Sequence, residues 1–441
     1  MLGALLPSGR PMKSIPVLAA LCLAAAALAS DLNVVTLDAG TGQKDWPCWR
    51  GPDGLGVSAD TGFPVEWSHT NHVKWTVPIP GKGASSPIVV GNRVYLTDQT
   101  QDTGLHVLAL DRATGATVWD REVAKGSAKA HQLHNMATPT AVADRSHVWA
   151  LFGTGDLVCL NPDGTSVWHR TLSKDYGPYN ANHGYGSSPM LRDGRLYVAM
   201  MHQGPSYLLA VDARTGTNLW KVDRDLGARE EGKDSYSSPL FVRDGSHTDV
   251  VLAGAEAVTA YDPATGAQRW IVKGLDVPHP YGRTIAGMTA SEGLVIAVAS
   301  GFQNRGYTVA LRTGGNGDVT ATHRAWTFSK FSPDCPTPVV QNGLLFCIRD
   351  DGMASCVDLK TGEPKWQERL FTENVKVSPV AAEGRVYFTS GQANCVVVRA
   401  TDKLEILSRN AWNEETLSTP ALSNGQLFLR TTSGLACIAG R

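Results

Sequence analysis

Short apolar runs broken by Gly, Asp and Pro follow one another along this chain in a fixed order. A small residue and a Pro open an apolar strand. A Gly-x-x-Tyr/Phe step carries the second strand, and a third ends in Asp. A Thr-Gly turn then leads to a fourth segment bearing Trp. Apolar runs this short, bounded by turn formers, predict strands. The unit reads through Ser85-Ser86-Pro87, Arg93-Val94-Tyr95, Ala109-Leu110-Asp111, Thr114-Gly115 and Trp119. It returns from Ser187-Ser188-Pro189 to Trp220, from Ser237-Ser238-Pro239 to Trp270, and from Pro338 to Trp366.

The entry position falls at Pro87, Pro139, Pro189, Pro239, Met288, Pro338, Pro379 and Pro420. Repeats of roughly 40–50 residues, each with four short strands, predict propeller blades. The stretch after Pro420 has room for three strands and ends before a Trp strand. Upstream of the first repeat lies an unclaimed Val73-Lys74-Trp75-Thr76-Val77. That segment is expected to supply the missing fourth strand, which removes an open sheet edge. The predicted fold is all-β, an eight-bladed β-propeller of four-stranded antiparallel blades with the last blade closed by an N-terminal strand. The predicted divisions are a signal peptide over 1–29, an N-terminal extension over 30–65 and the propeller over 66–441.

The repeated residues have physical tasks. The Asp of Asp-x-x-Thr-Gly bonds the backbone two residues on, and Gly accepts the positive φ of the turn. Trp75, Trp119, Trp168, Trp220, Trp270 and Trp366 share one slot on the outermost strand, with Trp326. A Trp buries a large surface and needs a partner for its N–H, so these are assigned as structural residues at the seams between blades.

Composition sharpens this picture. Gly and Pro number 45 and 24, too many for a helical bundle, and 42% hydrophobic residues are too many for a disordered chain. Forty basic against 41 acidic residues leave no basic footprint for nucleic acid. The opening residues carry Arg10 and Lys13, an apolar stretch from Ile15 to Leu28, and Ala27-Leu28-Ala29, which fits a cleaved export signal. Translation starts at Met1 or Met12. No run is long enough for a transmembrane span. A periplasmic or secreted monomer is expected. Export permits disulfides. Cys347 and Cys356 flank Asp351-Gly352, and pairing Asp350 with Met353 across a two-residue turn sets the thiols opposite each other. Against that disulfide, Cys159, Cys356 and Cys437 occupy a slot filled by Ala109, Ala210 and Ala260 elsewhere, where a small buried residue suffices.

The Asp-x-x-Thr-Gly-x-x-x-Trp units resemble those of pyrroloquinoline-quinone (PQQ) repeat propellers, a group that includes quinoprotein alcohol dehydrogenases and the Bam-complex propeller lipoprotein. The opening Asp45-Trp46-Pro47-Cys48-Trp49-Arg50-Gly51-Pro52 is similar to that of exported bacterial PQQ-like repeat proteins. The resemblance implies architecture over residues 45–440 and leaves activity open. Quinoprotein dehydrogenases stack an adjacent-cysteine disulfide on the cofactor and hold calcium with a Glu/Asn/Asp set. This chain has no Cys-Cys pair, and no such set can be placed, so no cofactor and no metal are assigned.

In a propeller, the links from outer strand to next inner strand end near the axis. Here they hold His134 and Asn135; Asn182, His183 and Tyr185; Tyr236; and His279 and Arg283, the residues assigned to a funnel rim. Lys82, His131, Asp334 and Lys376 lie on the same links. Three readings stand open at this stage: solvated loops, a funnel binding an envelope protein, peptide or glycan, and a catalytic or metal centre. The binding or scaffold reading is preferred, with no catalytic residue assigned. A PQQ-dependent quinoprotein-like oxidoreductase is the alternative.

Overall fold

The computed structural model describes Gly3 and residues 44–440, apart from 246, 302–305 and 331. Apart from Gly3, the predicted signal over 1–29 lies outside the described residues, as do residues 30–43 of the predicted extension. Among the described residues, eight antiparallel four-stranded sheets follow one another as blades. The first runs outward through Ile88–Val90, Arg93–Gln99, Gly104–Asp111 and Thr117–Lys125. The inner strands of the other seven begin at Val142, Met190, Leu240, Thr289, Val339, Val380 and Ala421.

The ring closes as expected. Val73–Val77 pairs antiparallel with Leu435–Ala439, placing Trp75 opposite Cys437. The small slot is thereby explained. Trp119, Trp168, Trp220, Trp270, Trp326 and Trp366 stand opposite Ala109, Cys159, Ala210, Ala260, Ala310 and Cys356. A side chain no larger than Ala or Cys leaves the cross-strand space that the indole needs.

The seams follow one rule. Each indole donates to a main-chain carbonyl in the turn of the next blade, as Trp119 does to Pro162 at 2.8 Å and Trp220 does to Pro263 at 3.1 Å. The Thr-Gly glycine of that turn lies against the ring. A Cβ on Gly115, which has a φ of 76°, would stand 2.7 Å from Trp75 Cε3. Two blades break the pattern for a shared reason. The fifth blade has no short turn between its third and fourth strands but a connection over 313–323, and Trp270 of the fourth turns back to Asp249 at 3.0 Å. The eighth blade has no such turn, because its fourth strand comes from the N-terminal side. The seventh blade accordingly carries Ser408, opposite Val397, in place of Trp.

Two expectations are corrected by register. Ile88 pairs with Tyr95 in the first blade and Val142 with Trp149 in the second. The entry slot of the second blade is therefore Ala141, and Pro139 sits two residues too early. Cys347 faces Ser355 and Cys356 faces Phe346, because Arg349 pairs with Met353 across three residues, not Asp350 across two. A one-residue shift turns a side chain to the other face. The two thiols thus enter different core clusters and are free, and no Cys347–Cys356 disulfide forms.

Candidate functional site

The segment after residue 44 is part of the ring. Trp46 exchanges both main-chain bonds with Val89 of the first blade, at 2.7 and 2.8 Å. Pro47 accepts from Ala143 of the second at 2.9 Å, and Gly56 from Ala381 of the seventh at 2.8 Å. Val57–Ser58 then runs parallel to Val380–Ala382. The segment thus crosses the inner strands, which line the axis.

Arg50 is the pin of this plug. It is fully buried, and its guanidinium donates to the carbonyls of Leu55, Thr337, Pro338 and Pro379 at 2.7–3.2 Å. Among the described residues, no carboxylate forms an ion pair with it. Burial pushes its pKa down to about 9. Oxygen dipoles from two blades and from the plug itself stand in for a counter-ion.

The neighbouring Trp49 is half-buried and lies across the axis. Its ring occupies the space a side chain at position 287 would fill: a Cβ on Gly287 would come within 2.9 Å of Trp49 Cη2 and Cζ3. Above the indole is a cavity of about 280 Å³. All eight blades reach it, through Ser86, Thr140, Ser188 and Ser238, then Ile285, Thr337, Ser378 and Thr419. The hydroxyl positions are the residues just before the entry slot. They are linked blade to blade: the N–H groups of Ser86, Thr140 and Ser188 donate to the hydroxyls of Thr140, Ser188 and Ser238 at 2.9–3.0 Å. Gly287 and Thr337 continue with Thr337 and Ser378, at 2.7 and 3.0 Å. The chain of bonds is interrupted where Gly287 has no hydroxyl to offer, and Trp49 is seated there.

The predicted rim residues separate into two groups. His134, His183, Tyr236 and Arg283 line the cavity. Burial, followed by His131 and His183, pushes the His134 pKa down to about 4, so this imidazole is neutral at pH 7. Burial also lowers His183, with Arg283 adding to the effect and Glu231 opposing it. Arg283 Nη1 lies 3.2 Å from Glu231 Oε2 and donates to the Tyr281 carbonyl at 2.8 Å.

The other predicted residues serve the scaffold. Asn182 bonds Glu231 through its amide and Asp234 through its N–H, at 2.9 Å for the latter. Asn135 forms a turn, accepting from Ala137 N at 3.0 Å and donating to the Lys82 carbonyl at 2.7 Å. Tyr185 is buried and donates to the Ala199 carbonyl at 3.1 Å. His279 accepts from Tyr281 N at 3.1 Å and is not part of the lining. Sequence reasoning missed Trp49, Cys335 and the hydroxyl ring. The Ser-Pro and Thr-Pro entries were its one visible trace.

The family model described as outer membrane protein assembly factor BamB matches residues 52–184, 106–368 and 350–439. The chain belongs to the BamB-type PQQ-repeat family. It is 20% identical over 350 residues to the outer membrane protein assembly factor BamB of Yersinia pestis, covering 79% of this chain and 72% of that one. It is 24% identical over 237 residues to a polyvinylalcohol dehydrogenase of Pseudomonas sp., covering 45% of this chain. The match spans only 35% of that dehydrogenase. In fold it is similar to the quinohemoprotein alcohol dehydrogenase of Comamonas testosteroni, with a TM-score of 0.64 at 11% identity, covering 91% of this chain and 82% of that one.

The residues here do not match the cofactor set that the quinoprotein resemblance implies. The described thiols are free. One cluster among the described residues, Asp334, Cys335 and Asp350, brings three metal-ligating atoms within 4.8 Å of one another. A cation already stands in it. The Lys376 ammonium bonds Asp350 and lies 3.5 Å from Cys335 Sγ. Burial, with Asp350 and Asp334 adding to it, pushes the Cys335 thiol well up, so it is protonated. Protonated thiols are poor metal ligands. Among the described residues, no helix is long and apolar enough to cross a membrane.

Proposed function

We propose that this protein is an exported binding or scaffold propeller that recognises a protein, peptide or glycan of the cell envelope at its loop-rich face. One observation carries the reading: side chains from all eight blades converge on a cavity closed at its base by Trp49. Concave sites with an aromatic wall and a few convergent polar groups are where propellers and other scaffolds take ligands. The similarity to BamB supports a partner-binding role. A pull-down from envelope extract with the full chain tests it. Capture of one partner, lost when Arg283 and His183 are both replaced by Ala, is expected. Capture unaffected by those replacements would overturn recognition at this face.

The second reading is a PQQ-dependent oxidoreductase, favoured by the similarity to polyvinylalcohol dehydrogenase. Adding PQQ and Ca²⁺ to the purified protein and following dye reduction with alcohols separates the two. Tight binding with turnover would replace the scaffold reading.

A further inference from the structure

Five hydroxyls at the base of the cavity have unspent protons. Thr140, Ser188, Ser238, Thr337 and Ser378 are 2%, 4%, 8%, 0% and 3% exposed, and all line the cavity. Each accepts one main-chain N–H from the preceding blade. Among the described residues, none of the five donates its own O–H to a protein acceptor. A hydroxyl carries one donor and two acceptor sites, so each has a proton and one lone pair left. Buried polar groups of this kind are normally matched by a partner. Five of them converging on one axis make a built receptor for an oxygen-rich ligand.

The rim adds charge. Lys376 and Arg283 both line the cavity, while the carboxylates that hold them, Asp350 and Glu231, stand outside the lining. The flanking imidazoles His134 and His183 are shifted toward their neutral forms. Asp334 is a lining carboxyl whose pKa is raised by burial and by Asp350, with Arg283 and Lys376 opposing. At the base, Trp49 offers an apolar indole beside the hydroxyls. The volume, about 280 Å³, sits at the small end of ligand sites.

We propose that the axial cavity takes an acidic monosaccharide unit, a uronate. Its hydroxyls would meet the ring of Thr and Ser side chains, its C–H face the Trp49 indole, and its carboxylate Lys376 and Arg283. This rests on the recognition reading above and names the ligand chemistry within it.

Calorimetry on the full chain tests the assignment, with sodium galacturonate, galactose, galactosamine and sodium sulfate as probes. Galacturonate is expected to bind at least about ten-fold more tightly than galactose, the effect of one added charged hydrogen bond. Lys376→Gln and, separately, Arg283→Gln should shrink that ratio toward one. Thr337→Val should weaken galacturonate and galactose alike. Each variant is first shown to melt as the parent does, and two rim variants are used so that one misfolding still leaves a test. Equal or tighter binding of galactose or galactosamine would overturn the acidic class while leaving the cavity a sugar site. Sulfate matching galacturonate would reduce it to an anion site. Binding of none of the probes would overturn the proposal, and the envelope pull-down would then decide the recognition reading alone.

Discussion

The indole N–H of Trp75 donates to the main-chain carbonyl of Arg112 at 3.0 Å. Trp75 lies on the outer strand of the eighth blade and Arg112 in the turn of the first, so this bond crosses the seam between those two blades, which residues 78–87 also join. Trp168 and Trp326 make the same bond to Ala213 and Leu359, at 3.0 and 2.9 Å, in seams joined by continuous chain. The ring is held closed by non-covalent contacts inside the eighth blade, where Val73–Val77 pairs with Leu435–Ala439.

Trp75 sits on that closing strand, opposite Cys437, so Trp75→Ala should loosen the closure of the ring as well as a seam. Large-to-small replacement of a buried aromatic costs about 3–5 kcal/mol. The expected result in urea unfolding is a loss of that size, with faster amide exchange in Leu435–Ala439. Trp366→Ala, on a strand joined to its pairing partner by a turn, should leave exchange in Leu435–Ala439 unchanged.

The seat of the plug gives a paired test. Gly287→Ala would force a Cβ to within 2.9 Å of the Trp49 ring, an overpacking expected to cost about 1–3 kcal/mol. Adding Trp49→Ala should return part of that loss, so the double-mutant cycle should show coupling of about 0.5 kcal/mol or more. Additive losses would mean that the indole moves aside freely.

His134 makes stability depend on pH. Its folded pKa is lowered to about 4 from 6.5, so between these values the unfolded chain binds the proton and the folded one does not. Stability should fall as pH drops through that window, by at most about 3 kcal/mol. Asp53 works in the opposite sense. Burial raises its carboxyl to about 7 from 3.8, with Arg192 opposing, so its contribution is lost as pH rises between those values. His134→Gln should flatten the acid limb and Asp53→Asn the limb toward neutrality, as read by melting temperature across pH 4–8.

Free thiols are directly countable. Alkylation of the denatured protein without reductant should label Cys347 and Cys356 fully, with no gain after reduction. Cys356→Ala should be nearly neutral, since Ala fills the equivalent slot opposite Trp119 and Trp220.

The eight-fold repeat, the borrowed closing strand and the Trp seams were legible because each rests on local chemistry. Asp-x-x-Thr-Gly fixes its own turn, apolar runs fix strands, and a Trp opposite a small residue recurs in seven of the eight blades. Register was less legible. Pro139 looked like its counterparts but lies two residues from the slot, and Asp351-Gly352 suggested a turn one residue too short. Turn type follows from hydrogen bonds that composition does not reveal.

The candidate site was legible only in outline. Tyr236 and Arg283 could be placed on axial links from blade order alone. Tyr185 could not be separated from them, because a hydroxyl bonded to Ala199 across the core leaves no mark on the sequence. Trp49 and Thr337 are 288 residues apart in number yet share one cavity. The sequence by itself determined how many blades form and how they join, since each blade carries its own instructions. Which side chains meet on the axis was decided by closure of the ring, which alone brings eight distant entries and the Arg50 plug within contact of one another.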